Sequence, residues 1–247
     1  MSHPISVFLI ARNEAERLPR TLEALAWADE IVLVDSGSDD DTVAIALAAG
    51  ATVLHRDWEG YGPQKRFAEQ ACSHDWLLNV DADEVVTPEL ASEIQGVSAG
   101  APTACRIRIL NVYPGDERPR PWANDYNVVR FYHRSCGEYR DHALFDRVET
   151  SGPVEQLAAP IHHYPLISWA HFVEKENRYS SFAANNAKSR SKTALMLRLP
   201  FEAPFAFLKF YFVRRHFTGG WKGFSFAMIA ALARALRIVK MLARAEE

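Results

Sequence analysis

The chain has 247 residues, 48% of them apolar and 24% charged, and a formal net charge of −3. That is ordinary for a soluble globular protein of one large domain or two smaller ones, and it excludes the disordered and collagen-like classes. Cys72, Cys105 and Cys136 show no metal-binding spacing and leave one thiol over in any disulfide scheme, so a reduced, cytosolic setting is expected.

Residues 5–10 are apolar and predicted to be a strand; the run is too short for a signal peptide or a spanning helix. Arg12, Asn13 and Glu14 follow, and Leu18, Leu22 and Leu25 then recur at helical spacing. Residues 30–34 read as a second strand that ends in Asp35, Ser36, Gly37 and Ser38. Asp39, Asp40 and Asp41 suit the cap of a helix marked by Val43, Ile45 and Leu47. Gly50 closes that helix, residues 51–54 form a third strand, and Gly60-Tyr61-Gly62-Pro63 is expected to be a loop before a helix over 64–72. A fourth strand over 76–80 runs into Asp81, Ala82, Asp83 and Glu84, and Pro88 suits the first turn of the next helix.

Strand and helix thus alternate four times, the mark of an α/β fold built on a parallel sheet with helices on both faces. Ligands of such sheets bind at the carboxyl ends of the strands, where every unusual polar cluster of this half falls. Acidic side chains that end a buried strand are costly unless they face a crevice with a partner. Asp81 and Asp83, spaced by the small Ala82, can offer oxygens to a hard divalent cation that bridges to substrate phosphates. Neither the GxGxxG nor the GxxxxGK[ST] pattern occurs, so a dinucleotide cofactor or a P-loop is not expected.

Residues 103–112 and 126–133 are further strands, separated by a loop over 114–121 rich in Pro and charge. A strand-like stretch over 158–161 precedes His162 and His163. The small net charge hides a split: residues 1–100 hold 18 acidic and 6 basic side chains, residues 168–247 hold 5 and 14. A helix is predicted over 169–192, an aromatic segment over 201–217, and a last helix over 222–244. Arg234, Arg237, Lys240 and Arg244 fall on one side of that last helix, with Leu232, Leu236, Val239 and Leu242 largely on another. This is the profile of carboxyl-terminal amphipathic helices that meet an anionic membrane surface or a second subunit. The acidic first half and the lack of a binding motif argue against nucleic acid.

Four motifs in order carry a resemblance: Ile10-Ala11-Arg12-Asn13-Glu14, Val34-Asp35-Ser36-Gly37-Ser38-Asp39-Asp40, residues 57–66 (DWEGYGPQKR), and Asp81-Ala82-Asp83-Glu84. Together they resemble the family 2 glycosyltransferases of the GT-A fold, and more narrowly the lipopolysaccharide-core β-glucosyltransferase branch. The resemblance implies a Rossmann-like, mostly parallel central sheet in a glycosyltransferase domain over 1–167, with a nucleotide-sugar half over 1–100 and an acceptor half over 101–167. The basic helices of 168–247 would be an extension. It implies that Ala11, Arg12, Asn13 and Glu14 line a uracil and ribose pocket, that Asp35 holds the nucleoside, and that Ser36 and Gly37 shape its loop. Gln64 and Lys65 would lie near the base or diphosphate, Asp81 and Ala82 near the ribose or sugar. Asp83 would bind Mg²⁺ or Mn²⁺, with His163 approaching the metal.

The family carries its acceptor-side base as His-Glu, where this chain has Phe145-Asp146; Asp146 is the first candidate, with Asp141 and Glu149 behind it. The implied activity is inverting transfer of a sugar, glucose, from a UDP-sugar to a saccharide hydroxyl of a lipid-linked acceptor. The implied place is peripheral, at the inner face of the cell membrane. Two rivals stand against it: a haloacid-dehalogenase-type phosphatase with Asp81 as nucleophile, and a non-catalytic, membrane-associated nucleotide-sugar-binding protein.

Overall fold

The computed structural model describes residues 3–123, 125–142, 146–187 and 191–244, which fall into two units, Met1–Asn111 with Asp125–Pro165 and Val112–Asn124 with Leu166–Glu247. The segment Val112–Asn124 therefore belongs with the carboxyl-terminal helices, although it lies inside the stretch expected to form the first domain.

The first unit opens with β1 (Ile5–Ala11), α1 (Leu18–Glu23), β2 (Glu30–Asp35), α2 (Thr42–Ala48), β3 (Thr52–His55), α3 (Tyr61–Ala71) and β4 (Trp76–Asn79). It continues through β5 (Glu84–Val86), α4 (Pro88–Ser98), β6 (Ala104–Asn111), β7 (Asp125–His133), β8 (Gly137–Tyr139), β9 (Val148–Thr150), β10 (Val154–Gln156) and β11 (Ile161–His163). The main sheet runs β3-β2-β1-β4-β7-β6-β11-β5, with β10 also on β6. Its first four strands are parallel, as the strand–helix alternation predicts. Beyond β4 it becomes mixed, because β7 is antiparallel to both β4 and β6.

The alternation of side chains along β1 separates two cores. Val7 and Leu9 pack with Leu18, Leu22, Leu90 and Ile94 of α1 and α4, while Phe8 packs with Ala68 of α3, Tyr132 and Tyr139. Helices thus cover both faces. Three local expectations change. Of Gly60–Pro63 only Gly60 precedes the helix: α3 starts at Tyr61, and Pro63 fits its first turn because an N–H there has no helical partner to lose. Glu84–Val86 is a short strand, antiparallel to β11. His162 and His163 lie within β11 rather than after a strand.

The second unit holds α5 (Trp169–Asn185), α6 (Lys192–Leu208) and α7 (Gly220–Arg244), with a π turn at Lys209–Val213 and a 3-10 turn at His216–Gly219. Leu166, Phe172 and Ala230 form its core with Trp169, Phe210, Phe226 and Ile229 against them. On α7 the buried residues are mostly small, Gly223, Ala227, Ala230, Ala231 and Ala233, with Ile238 near the end. The cationic side of α7 is largely consumed inside the unit: Arg234 pairs with Glu202, Lys240 donates to Asn177 and Ser180, and Arg244 donates to the Ala184 carbonyl. Those charges tie helices together. Among the described residues no helix is long and apolar enough to cross a membrane.

Candidate active site

A cavity of about 430 Å³ opens at the carboxyl ends of β1, β2 and β4, the position where open α/β sheets bind ligands. Ala11, Arg12, Glu14, Ser36, Lys65, Asp81, Ala82, Asp83, Asp146 and His163 all line it, so residues up to 152 positions apart in sequence are brought together. Asn13, Asp35, Gly37 and Gln64 do not; they stand behind the wall.

Their positions explain why. Asn13 adopts a left-handed backbone (φ 57°), and its side-chain oxygen accepts from the Asp39 N–H at 3.0 Å. The Glu14 N–H donates to Thr42 Oγ1 at 2.8 Å and the Ala15 N–H to Asp40 Oδ2 at 3.1 Å, so the loops after β1 and β2 are stapled together. Buried Asp35 accepts from the N–H groups of Gly37 and Ser38 at 2.9 and 3.0 Å and thereby folds its own loop. Gly37 at φ +85° supplies the left-handed turn this needs. Gln64 is fully buried; its amide donates to Ser36 Oγ at 2.9 Å and to the Arg56 carbonyl at 3.0 Å.

The acidic turn after β4 is locked from several sides. The Asp81 N–H donates to Glu84 Oε2 and the Glu84 N–H to the Asp81 carbonyl, both at 2.9 Å. Thr21 of α1 donates to the Ala82 carbonyl at 2.9 Å, and the Tyr164 N–H to the Asp83 carbonyl at 2.8 Å. Asp81 meets two buried cations, Lys65 Nζ at 2.9 Å and Arg130 Nη2 at 2.8 Å. Burial opposes the charge on Asp81, but Arg130 and Lys65 outweigh it and hold its carboxyl well below the usual carboxylate range. Burial likewise opposes the Lys65 ammonium, and Asp81 more than reverses this, so its pKa is raised. Arg130 also reaches Glu84 Oε1 at 3.2 Å, yet burial still pushes the Glu84 carboxyl up.

One face of α3 grips the strand and loop that carry Asp146. Gly62, Lys65, Arg66 and Glu69 lie three and four residues apart, hence on one side of the helix. Glu69 accepts from the Tyr139 N–H and hydroxyl-bonds Tyr132, while Arg66 Nη1 donates to the Tyr139 carbonyl at 2.7 Å. At Gly62 a Cβ would stand 2.4 Å from the His142 carbonyl oxygen and 2.6 Å from that of Arg140, so this close approach requires glycine. Lys65 Nζ then meets Asp146 Oδ2 at 2.9 Å. Phe145 lies outside the described residues. Neither alternative base lines the cavity; Glu149 instead pairs with Arg140 at 3.2 Å.

Asp83 Oδ2 faces His163 Nε2 at 3.2 Å and Arg17 Nη1 at 3.0 Å. His163 Nδ1 lies 2.8 Å from Asn111 Oδ1, and Nε2 is the nitrogen turned toward the carboxylate. Burial opposes the imidazolium, but Asp83 outweighs it and raises the pKa; only the neutral ring, protonated at Nδ1, would offer Nε2 to a cation. One carboxylate and one imidazole suit Mg²⁺ or Mn²⁺ when substrate oxygens and water complete the shell. No group of three or more His, Cys, Asp or Glu able to hold a metal occurs among the described residues, so any cation there depends on such outside oxygens.

Sequence reasoning missed Arg17, Arg130, Asn79 and Tyr139. Arg17 forks onto Glu14 as well as Asp83; its spacing of three from Glu14 was the available signal. Tyr139 donates to Asn79 Oδ1 at 2.7 Å, and Arg130 donates to the same oxygen. The Arg130 contact arises from the pairing of β7 with β4, which no local pattern announces.

The family described as glycosyl transferase family 2 matches residues 6–152. An uncharacterized glycosyltransferase of Rickettsia felis is 37% identical over 96% of this chain and 89% of its own. The lipopolysaccharide core biosynthesis glycosyltransferase LpsC of Rhizobium meliloti is 31% identical, covering 98% of this chain and 93% of its own. Among solved structures, S. aureus TarS 1-349 superposes with a TM-score of 0.52 at 16% identity, covering 99% of this chain and 92% of that one. That likeness bears out the expected GT-A fold.

Proposed function

The chain belongs to glycosyl transferase family 2, and from that premise we propose that this glycosyltransferase moves glucose from UDP-glucose to a saccharide hydroxyl of a lipid-linked acceptor such as lipopolysaccharide core, with inversion. The membership sets aside the phosphatase, whose nucleophile would be an Asp81 that here spends both oxygens on Lys65 and Arg130. It also sets aside the non-catalytic binding protein. The observation that carries the proposal is the position of Asp146, which lines the cavity at the strand ends and also a second cavity beside it.

In this reading the loops after β1 and β2 take the nucleoside through Ala11, Arg12, Glu14 and Ser36. Asn13, Asp35, Gly37 and Gln64 hold those loops in shape from behind. Asp81, fixed by two cations, meets the ribose or sugar, with Ala82 keeping the wall low. Asp146 takes the proton of the acceptor hydroxyl as that oxygen attacks the anomeric carbon. Asp83 and His163 would hold the divalent cation, which when bound neutralises charge on the leaving diphosphate. Support for a UDP donor is the motif set, and TarS 1-349 is known in complex with UDP. Support for the acceptor class is the similarity to LpsC.

The helical unit would sit peripherally on an anionic membrane at the cytoplasmic face. Leu197, Phe201, Phe205, Leu208 and Phe212 recur at four- and three-residue steps along α6 and the π turn, and each is more than half exposed. With 14 basic side chains against 5 acidic in residues 168–247, such a stripe fits an interfacial helix on anionic lipid.

The test is UDP release from UDP-glucose with rough-type lipopolysaccharide in anionic vesicles. Acceptor-dependent release that drops about 10²-fold or more in Asp146→Asn supports the proposal. Release that persists in Asp146→Asn removes Asp146 as the base, and no release from any UDP-sugar removes the reading.

A further inference from the structure

The second cavity, about 660 Å³, shares Asp81, Asp146 and His163 with the first, and its remaining wall is built largely on β6 and β7. The β6–β7 register sets Arg106 opposite Val129 and Ile109 opposite Tyr126. Every acid in this wall is already matched: Asp81 by Lys65 and Arg130, Glu84 by Arg130, Asp146 by Lys65. Arg106 and Arg147 are different. Both are exposed at the cavity, and neither guanidinium has an ion-pair or hydrogen-bond partner among the described residues; their main chains alone are bonded. Tyr126 adds an exposed ring to the same wall, a flat amphipathic surface of the kind ligand pockets use.

Resting on the glycosyl-transfer reading above, we propose that this cavity takes the acceptor sugar and that Arg106 and Arg147 receive an anionic substituent of it, a carboxylate or a phosphate. Guanidinium forks match both groups in geometry and charge. The donor diphosphate is not the ligand of these two arginines, since neither lines the cavity that Arg12, Glu14 and Ser36 enclose. An acceptor pinned by its charge at the far wall presents its remaining hydroxyls toward Asp146, which lines both cavities. Specificity then follows from charge: a neutral sugar of the same size leaves two guanidinium groups without their partner.

Ligand-observed NMR titration in the presence of UDP tests this with three probes: methyl glucoside, methyl glucuronide and methyl glucoside 6-phosphate. At least one charged probe should bind about tenfold or more tightly than the neutral one. The charged probe that does so distinguishes carboxylate from phosphate. In Arg106→Ala/Arg147→Ala that preference should vanish while UDP affinity stays within about twofold of wild type. Arg237→Ala, in the helical unit, should keep it. Equal binding of the three probes, or of none, overturns the proposal, as does a preference that survives the double variant. Loss of UDP affinity in the double variant would assign these arginines to the donor and also overturn it. Failure of the wild type to bind UDP at all would instead sink the glycosyl-transfer reading, and this proposal with it.

Discussion

Lys65 Nζ lies 2.9 Å from Asp146 Oδ2, an ion pair that holds the proposed base at the cavity wall. The lysine is 1% exposed and also bonds Asp81 Oδ1 at 2.9 Å, so it cannot roam as a surface cation would. A single buried ammonium thereby joins the acid proposed to act on the acceptor to the acid proposed to meet the donor.

Lys65→Met is expected to lower kcat at least about tenfold, because Asp146 loses its anchor. It should also cost about 2–4 kcal/mol of stability, since Asp81 stays desolvated with only Arg130 beside it. Steady-state kinetics with denaturant unfolding checks both. An unchanged kcat would show that Lys65 does not position Asp146.

Gly62→Ala drives a methyl into the Arg140 and His142 carbonyls, and overpacking of this kind costs about 1–3 kcal/mol. The segment leading to Asp146 must retreat, so transfer should weaken more than UDP binding. Parallel measurement of kcat and UDP affinity decides it; equal losses in both would place the damage in the donor cavity instead.

The aromatic stripe of α6 gives a membrane prediction. Phe201→Asp/Phe205→Asp should abolish co-sedimentation with vesicles containing anionic lipid while leaving UDP binding intact. Binding of the wild type should also fall with salt, because part of it is screened attraction. Undiminished vesicle binding by the double variant would contradict the assignment of that stripe.

His216 sets a pH dependence in the helical unit. The Tyr113 hydroxyl lies 2.6 Å from its Nδ1 and the Phe226 ring stacks on it at 4.3 Å. Burial, followed by Arg120 and Arg214, pushes its pKa from 6.5 down to about 3. Between those values the unfolded chain binds the proton and the folded chain does not, so stability falls as pH is lowered through that window. From pH 7 to pH 5 the loss is about 2 kcal/mol. Denaturant unfolding of wild type and His216→Phe at both pH values should show that much less acid sensitivity in the variant; equal sensitivity would contradict it.

Much of this was legible because local signals and tertiary outcome agree in the first hundred residues. Apolar runs made strands, Leu18 and Leu22 marked a helix face, and acids at strand ends marked the cavity. What was not legible depended on pairings distant in sequence. Arg130 reaches Asp81 only because β7 inserts beside β4, and β5 exists only through its pairing with β11. Asp35 shows a different limit: its type and place read as a ligand-binding acid, but no local pattern announces that its oxygens also fold its own loop. On α7 the sequence displays an aliphatic face and a cationic face, but the tight packing surface is the small-residue face, because glycine and alanine let α7 approach its neighbours closely. The cations then find partners on α5 and α6.

The proposed transfer requires the cavity at the strand ends to bind a uridine diphosphate with a divalent cation at Asp83 and His163. Calorimetric titration of UDP into wild type and Asp83→Ala, with and without Mn²⁺, tests it most directly. Binding should strengthen at least about tenfold with Mn²⁺ in the wild type, with no such gain in the variant. Absence of UDP binding by folded wild-type protein, or an equal gain from Mn²⁺ in Asp83→Ala, would contradict it.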